Sequence, residues 1–472
     1  MGVSQQSAKR VLTVVAITLG VLSVASADTQ IAIDSGLISG TVVNDGIRVF
    51  KGIPFAAPPV GANRWRPPQA VERWNGVRAC VEFGPACPQS DALERRYGIK
   101  LPPMSEDCLY LNIYAPPAKA EQKLPVMVWI HGGGFSTGNS SSYDGENLAR
   151  LGAVVVTINY RVGVFGFLTH RRLTAESEHR SSGNLGLLDI IAALQWVWRN
   201  IDRFGGAADN VTLFGQSSGG TAVCYLMASP LARGLFRRAI SQSGGAYDIL
   251  PDLQAAEADG ERLFQAMNAD EAPDPLVAMR AKGWKEVLET AQSASLRYSV
   301  TLDGWCLREQ PIETFLSKKQ ADVPLLIGSN ANEADDEYTV AARFFAREHS
   351  KLNPHTFRYF FSKASGDPKS AGRGAVHAAE IAYVFNARGR LATTFDDVDR
   401  NLARTMSSMW VQFAKAGDPN AAGESRVWPN YDAATDPYIE FGTTVTTGKG
   451  LRSKVCDQVE QAISQELAKR RN

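Results

Sequence analysis

Val211-Thr212-Leu213-Phe214-Gly215-Gln216-Ser217-Ser218-Gly219-Gly220 is the stretch that decides the fold. An apolar, β-prone run leads into a G-x-S-x-G motif, and a helical pattern of small and apolar residues follows the motif. This is the layout of a nucleophile elbow, a sharp strand-to-helix turn that exposes a serine hydroxyl. Glycines are needed because a Cβ would clash where the strand and the helix nearly touch. The motif points to Ser217 as a nucleophile, but so short a string also arises by chance and needs partners elsewhere.

Further apolar runs are typical of buried parallel strands, and helical patterns lie between them. This alternation predicts the α/β class, with a large, mostly parallel central sheet covered by helices on both faces. In such sheets, sites form beyond the carboxyl ends of the strands. Because no repeat or low-complexity linker divides the chain, we expect a single domain over residues 28–472. The predicted strands are 125–130, 154–159, 211–214 and 324–327, and the clearest helix is 187–201.

The charges of the 472-residue chain are almost balanced, with 50 basic and 49 acidic residues. This balance removes the general electrostatic case for nucleic acid or an anionic membrane as a partner. The hydrophobic fraction of 44% is ordinary for a globular protein with a large core. The sequence leaves the oligomeric state open.

The N-terminal residues 1–27 have the pattern of a signal peptide. Lys9 and Arg10 precede an apolar run from Val11 to Val24, and Ala25-Ser26-Ala27 supplies a small-x-small cleavage site. The run is shorter than the ~20 residues that a spanning helix needs, which favours cleavage over an uncleaved anchor. We expect the mature chain to begin near Asp28, to be secreted or periplasmic, and to have no stable membrane association.

A serine hydroxyl is a poor nucleophile until a base, usually histidine, removes its proton. In proteins with this elbow the chain order is serine, then acid, then histidine, which leaves His377, His349 and His355 as candidates. His377 lies among small residues, whereas the other two lie in charged or polar sequence that we expect to be exposed. An isolated histidine is more often a solvated surface residue than a catalytic one.

The acid that orients the imidazole should follow a strand end between the serine and the histidine. Glu333 fits, because it comes about one turn after the predicted strand 324–327. Asp335, Asp336 and Glu337 crowd the same stretch, and each of the four could be a solvated loop carboxylate. Spacing alone does not choose among them.

A glycine-rich loop, His131-Gly132-Gly133-Gly134-Phe135, directly follows the predicted strand 125–130. Consecutive glycines let backbone N–H groups point inward without obstruction, as in an HGGG-type oxyanion loop. Each such donor is worth about 10²–10³ in the rate of acyl transfer. A phosphate-binding loop would need a lysine that is absent here.

With these landmarks the chain resembles the type-B carboxylesterase family, whose members include para-nitrobenzyl esterases, cholinesterases and the non-catalytic neuroligins. The resemblance covers nearly all of the mature chain and implies an α/β-hydrolase fold. It implies Ser217 as the nucleophile, Glu333 as the acid and His377 as the base, with no metal or organic cofactor. The implied oxyanion donors are the backbone N–H groups of Gly133, Gly134 and Ser218. The remaining stretches that carry the resemblance are 50–56, 105–112, 159–163, 377–385 and 410–420.

The resemblance also implies residues that support the fold and the site. Ser243 matches a serine near the acid. Cys87 and Cys108, which bracket a polar segment, match the family's first disulfide. The cysteines whose state the sequence leaves open are Cys80, Cys224, Cys306 and Cys456. The implied structural ion pairs are Arg64 with Glu106 and Arg161 with Asp189.

Four features depart from the family pattern. Gln216 stands where most members have glutamate, which should weaken attraction for cationic substrates, and Ala334 replaces the usual glycine after the acid. The segment 87–108 has no tryptophan and so lacks the aromatic platform that binds cationic ligands in cholinesterases. We therefore reject choline esters as the natural substrate. Only 44 residues separate Glu333 from His377, which predicts a shortened cap near 338–373. The shortened cap is compatible with a more open site. It is also compatible with other chain segments filling the space that the missing residues leave.

The sequence thus predicts an exported serine hydrolase that cleaves neutral carboxylic esters of small molecules through a Ser-His-Glu triad and an acyl-enzyme. One alternative is hydrolysis of a lactone, a carbamate or a natural-product ester by the same machinery. Another is a non-catalytic binding module, which the retained serine, histidine and glycine loop disfavour. The sequence does not identify the acid or the alcohol of the substrate.

Overall fold

The computed structural model describes residues 29–117, 123–296, 298–333, 336–364, 372–386, 395–421 and 427–471. The predicted signal peptide and its cleavage site lie outside these residues. The strands are β1 (Gln30–Ile33), β2 (Gly36–Ser39), β3 (Thr41–Val42), β4 (Arg48–Pro54), β5 (Val77–Ala79), β6 (Tyr110–Ala115), β7 (Leu124–Ile130), β8 (Val154–Ile158), β9 (Gly206–Gln216), β10 (Arg238–Gln242), β11 (Leu325–Asn330), β12 (Thr356–Phe361), β13 (Pro437–Phe441) and β14 (Val445–Lys449).

The helices alternate with the strands along the middle of the chain. They are α1 (Ala92–Tyr97), α2 (Glu146–Arg150), α3 (Gly163–Phe167), α4 (Arg171–Glu176), α5 (Leu185–Asn200), α6 (Ser218–Ala228), α7 (Leu253–Ala266), α8 (Pro275–Ala281), α9 (Trp284–Ser293), α10 (Pro311–Leu316), α11 (Glu337–Ser350), α12 (Ile381–Val384), α13 (Asp397–Ala416) and α14 (Ser453–Arg471). Among the helices in these described ranges, none combines the length and the apolar character that crossing a membrane requires.

The central sheet has the order β14-β13-β12-β11-β10-β9-β7-β8-β6-β4-β3 within the described ranges. Strands β8, β7, β9, β10, β11, β12 and β13 run parallel to one another. The outer strands β6, β4, β3 and β14 are antiparallel to their neighbours. A small second sheet has the order β1-β2-β5. The predicted α/β class with a mostly parallel sheet is therefore confirmed.

Helices cover both faces of the central sheet. One apolar layer contains buried residues of α5, α6 and α10, and the other contains those of α2, α12 and α13. Because both of its faces are covered, the middle of the sheet needs apolar residues at consecutive positions. Strand β8 is accordingly buried at all five positions, and β7 at all but its first.

The predicted strands 125–130, 154–159 and 324–327 correspond to β7, β8 and β11, and each begins within one residue of its strand. The predicted helix 187–201 corresponds to α5. The run 211–214 proves to be the central part of the longer β9, which pairs with β7 on one side and β10 on the other. The carboxyl ends of β7, β9 and β11 meet at one edge of the sheet. The glycine loop, Ser217 and Glu333 follow these three strands directly.

Candidate active site

Ser217 occupies the tight turn between β9 and α6. Its backbone has φ 57° and ψ −130°, a region that non-glycine residues rarely adopt. The Ser217 N–H donates to the Gln242 carbonyl at 2.8 Å, and its own carbonyl accepts from Thr221 N–H at 2.8 Å. These backbone bonds hold the strained residue between strand β10 and the first turn of α6. The predicted elbow is present.

The elbow requires glycine because backbone segments approach each other without space for side chains. A Cβ on Gly215 would lie 2.6 Å from the Gly219 backbone, and a Cβ on Gly219 would overlap the Ile130 carbonyl oxygen. The helix α6 therefore begins directly against the end of β7. This contact brings the elbow next to the glycine loop.

The glycine loop packs against Ser217. A Cβ on Gly132 would lie 3.0 Å from Ser217 Cβ. Gly133 and Gly134 have φ of 119° and 63°, values that favour glycine. The Tyr160 hydroxyl donates to the His131 carbonyl at 2.9 Å and so anchors the start of the loop. In the described part of the chain, the N–H groups of Gly133 and Gly134 bind no backbone or side-chain acceptor, which leaves them available to a ligand oxygen.

Glu333 and His377 lie together at the same edge. His377 Nδ1 is 2.6 Å from Glu333 Oε1, and the second oxygen of Glu333 accepts from Asn330 N–H at 2.8 Å. The Glu333 side chain is 3% exposed and the His377 side chain 29%. Because the carboxylate accepts from Nδ1–H, the Nε2 atom of the neutral imidazole carries the free lone pair. A buried carboxylate therefore orients the His377 ring.

The other candidate bases and acids have different positions. His355 is exposed, as expected. His349 is not: the expectation that it is exposed is wrong, because α11 buries it and its ring nitrogens contact Gln320 and the Val323 carbonyl. Burial lowers the pKa of His349. Asp336 forms an ion pair with Arg452, and Asp335 lies outside the described residues.

Two further side chains contact His377. Gln216 Nε2 lies 3.2 Å from His377 Nε2. The Tyr338 ring stacks on the imidazole with the centroids 4.8 Å apart and the planes at 22°. The pKa of Tyr338 is raised by burial and by the nearby Glu337 carboxylate, while a hydrogen bond with Ser217 opposes this rise. Tyr338 was missed from the sequence, where it falls in the predicted cap and carries no motif.

A buried carboxyl lies behind the pair. Glu380 accepts hydrogen bonds from Gln242 at 3.1 Å and from Asn330 at 2.6 Å. Burial raises the pKa of Glu380, and the charge of Glu333 adds to that rise. Asn330 also donates to the Val376 carbonyl at 2.9 Å, next to His377. Asn330 therefore links Glu333, Glu380 and the backbone next to His377.

Arg452 contacts the chain on both sides of Glu333. Its guanidinium donates to the Ala331 carbonyl at 2.8 Å and forms an ion pair with Asp336. These two contacts lie on either side of Glu333 in the chain. Arg452 immediately precedes α14, and nothing in its local sequence predicted this role.

The supporting residues have the following positions. Arg64 binds both oxygens of Glu106 at 2.6 Å, and Arg161 binds both oxygens of Asp189 at 2.7 and 2.8 Å. Both pairs are buried. Ser243 has φ 43°, and its buried hydroxyl contacts no polar partner in the described ranges. The structure thus gives Ser243 no hydrogen bond to the acid.

The six cysteines, all within the described ranges, are buried free thiols in this structure. Cys87 and Cys108 are adjacent, and a hydrogen bond between their thiols contributes to the raised pKa of Cys108, although burial is the larger cause. The predicted disulfide is absent from the structure, so this pairing stays a prediction.

One group in the described ranges has the spacing of metal ligands: His170, Glu261 and Asp270, with ligand atoms within 4.8 Å of one another. Arg172 N–H donates to His170 Nδ1 at 3.1 Å, so the proton of the neutral imidazole is on Nε2. That nitrogen lies 3.2 Å from Glu261. Burial lowers the pKa of His170 to about 4. Because a metal would need the Nε2 lone pair, we assign no metal to this group.

Comparison with known proteins identifies the family. The model described as "Carboxylesterase family" matches residues 27–342 and 334–459. Fumonisin B1 esterase of Sphingopyxis macrogoltabida is 34% identical over 89% of this chain and 88% of its own. Para-nitrobenzyl esterase of Bacillus subtilis is 34% identical over 87% of this chain and 94% of its own. A thermophilic PNB esterase structure has a TM-score of 0.82 and 30% identity, covering 91% of this chain and 99% of that one. The chain belongs to the carboxylesterase family, has the α/β-hydrolase fold and is a carboxylic ester hydrolase.

Proposed function

We propose that this protein is an exported serine esterase that cleaves neutral carboxylic esters of small molecules through Ser217, His377 and Glu333. The observation that carries the proposal is the 2.6 Å contact between His377 Nδ1 and Glu333 Oε1 at the sheet edge where Ser217 follows β9. A carboxylate that accepts from Nδ1–H fixes the imidazole tautomer that accepts a proton at Nε2. The triad implied by the family resemblance uses these same three residues.

In the proposed acylation step, Ser217 Oγ attacks the ester carbonyl while His377 Nε2 takes the serine proton. The oxyanion of the tetrahedral intermediate accepts from the N–H groups of Gly133, Gly134 and Ser218. His377 then gives its proton to the departing alkoxide. Water repeats the sequence on the acyl-enzyme and releases the acid. The Gln216 amide, 3.2 Å from Nε2, must shift aside for the first proton transfer.

We infer export from the N-terminal pattern of residues 1–27. Export to an oxidising compartment would allow the adjacent thiols of Cys87 and Cys108 to form a disulfide.

The test uses protein purified from the periplasmic or culture fraction, whose intact mass reports the N-terminus and the disulfide. Ser217→Ala should lose esterase turnover by about 10⁴-fold or more and should not react with a fluorophosphonate, while its circular dichroism stays native. Wild-type protein supplies the positive control for labelling and for a panel of chromogenic esters. Turnover by Ser217→Ala at the wild-type rate would refute the mechanism.

A further inference from the structure

Tyr338 contacts both the base and the nucleophile. It is the second residue of α11 and follows Glu333 by five positions. Its ring lies over the His377 imidazole, with the centroids 4.8 Å apart and the planes inclined by 22°. Its hydroxyl lies close enough to Ser217 for a side-chain hydrogen bond, which lowers the pKa of Tyr338 against the larger effect of burial. One side chain therefore spans the two groups between which the proton moves.

We propose that Tyr338 is a further catalytic residue, whose hydroxyl donates a hydrogen bond to Ser217 Oγ during attack and departure and whose ring stabilises the imidazolium of His377. The proposal rests on the proposed function, since it requires Ser217 as nucleophile and His377 as base. It assigns to α11 a direct part in the chemistry.

The hydroxyl acts as a donor because it stays protonated. Burial raises the pKa of Tyr338, and the charges of Glu337, Glu333 and Asp248 raise it further. These carboxylates come from α11, from the loop after β11 and from the loop after β10, and they face the phenol together with His377. A phenol with a raised pKa keeps its proton at neutral pH, so it cannot compete with His377 as the base.

The phenol of Tyr338 keeps its own proton in each step of the reaction. In acylation the Ser217 proton goes to His377 Nε2, a bond forms between Oγ and the carbonyl carbon, and Oγ passes through a partly anionic state. In deacylation the bond between Oγ and the acyl carbon breaks, and Oγ regains a proton from His377. A neutral donor beside Oγ stabilises the charge in both steps and is not consumed.

The ring contributes through the charge on the base. The face of an aromatic ring carries negative potential and attracts a cation. The imidazole is neutral before attack and cationic in the transition state, so an aromatic cover favours the later state. A purely steric cover would exclude water from the base but would not respond to its charge.

Two variants separate the hydroxyl from the ring. Tyr338→Phe keeps the ring and should lower kcat and the rate constant of fluorophosphonate labelling about tenfold, with KM within about twofold. Tyr338→Leu removes both parts. It should lose at least as much activity, and the acidic limb of its kcat/KM profile should move to lower pH, because the imidazolium loses its aromatic cover.

The matched control is Tyr247→Phe. Tyr247 carries a raised pKa from burial and the same Glu337 carboxylate, but its hydroxyl hydrogen-bonds Glu337 rather than Ser217. This variant should keep the wild-type labelling rate within about twofold, and thermal unfolding of all three variants reports their folding.

A Tyr338→Phe labelling rate within twofold of wild type overturns the role of the hydroxyl. A Tyr338→Leu profile with an unmoved acidic limb overturns the role of the ring. Failure of the wild-type protein to react with the fluorophosphonate would instead refute the proposed function.

Discussion

The nucleophile side and the acid–base side of this site are built in different ways. Ser217 is held through its backbone, by bonds to Thr221 in the same motif and to Gln242 on the adjacent strand, and by backbone contacts that leave no room for a side chain. Glu333 and His377 are held by hydrogen bonds and an ion pair from chain segments far away in sequence. The turn that carries Ser217 can be predicted from a short motif, whereas side-chain contacts between distant segments depend on the completed fold.

The first prediction tests the nucleophile side, where the largest effect is expected. Gly219→Ala places a methyl group of helix α6 on the carbonyl oxygen of Ile130, the last residue of strand β7. Backbone that is packed this tightly cannot move without separating α6 from β7. We expect little soluble protein and loss of fluorophosphonate labelling, measured by expression yield, circular dichroism and labelling.

The control for this substitution is Gly283→Ala. Gly283 has φ −62°, and a Cβ there would meet no atom within 4 Å. Its yield, melting temperature and labelling should match those of the wild-type protein. A Gly219→Ala protein that folds and labels like the control would show that the elbow tolerates a side chain.

The second prediction tests the acid–base side. Arg452→Met removes the contacts to Ala331 and Asp336 that flank Glu333, but it leaves the triad and the glycine loop intact. With its flanking contacts gone, Glu333 is less often in place to orient His377. We expect kcat to fall about tenfold with KM within about twofold, since misplacement affects the transition state more than binding.

Arg347→Met is the matched control for this prediction. Arg347 is also a half-buried arginine that joins α11 to α14, through Glu460, but it does not touch the segment around Glu333. It should lower the melting temperature and leave kcat nearly unchanged. If both variants lower kcat equally, the effect of Arg452→Met comes from general loosening of α14. The idea that Arg452 positions Glu333 is then refuted.

This difference also explains what the sequence predicted and what it did not. The strands β7 and β8, the helix α5 and the elbow were predicted because runs of apolar residues and glycines specify them locally. Residue patterns alone left four acids and three histidines open, and only the family resemblance selected Glu333 and His377. The choice depends on pairs such as Asn330 with Val376, which are 46 residues apart.

Long-range packing also accounts for the errors and omissions. His349 reads as exposed because its neighbours in sequence are charged, yet α11 turns it into the core. Tyr338, Glu380 and Arg452 gave no signal, because each acts through a partner that only the fold brings near; Arg452 and Ala331 are 121 residues apart. Helix α11 and strand β12 occupy much of the interval 338–373, and the shortened cap stays a prediction.

The smallest effect is expected at Gln216, where the two sides meet. Gln216 ends β9 beside the nucleophile, and its amide lies 3.2 Å from the Nε2 atom of the base. Gln216→Glu places a negative charge at nearly the same position, which favours the protonated imidazole. Because a protonated base cannot accept the serine proton, the pH at which half of kcat/KM is lost should rise by about 0.5–1 unit.

Solvent limits the size of this shift. His377 is 29% exposed, so water and salt screen the new charge, and the shift should shrink when the ionic strength is raised. Gln216→Ala removes the amide without adding charge and should leave the acidic limb within about 0.3 unit of wild type. If the acidic limb of the kcat/KM profile moves equally in Gln216→Glu and Gln216→Ala, the Gln216 amide acts by filling space. A limb that moves upward only in Gln216→Glu would establish that an elbow residue sets the protonation of a base supplied by the distant loops, so the two sides are coupled through charge although they are built separately.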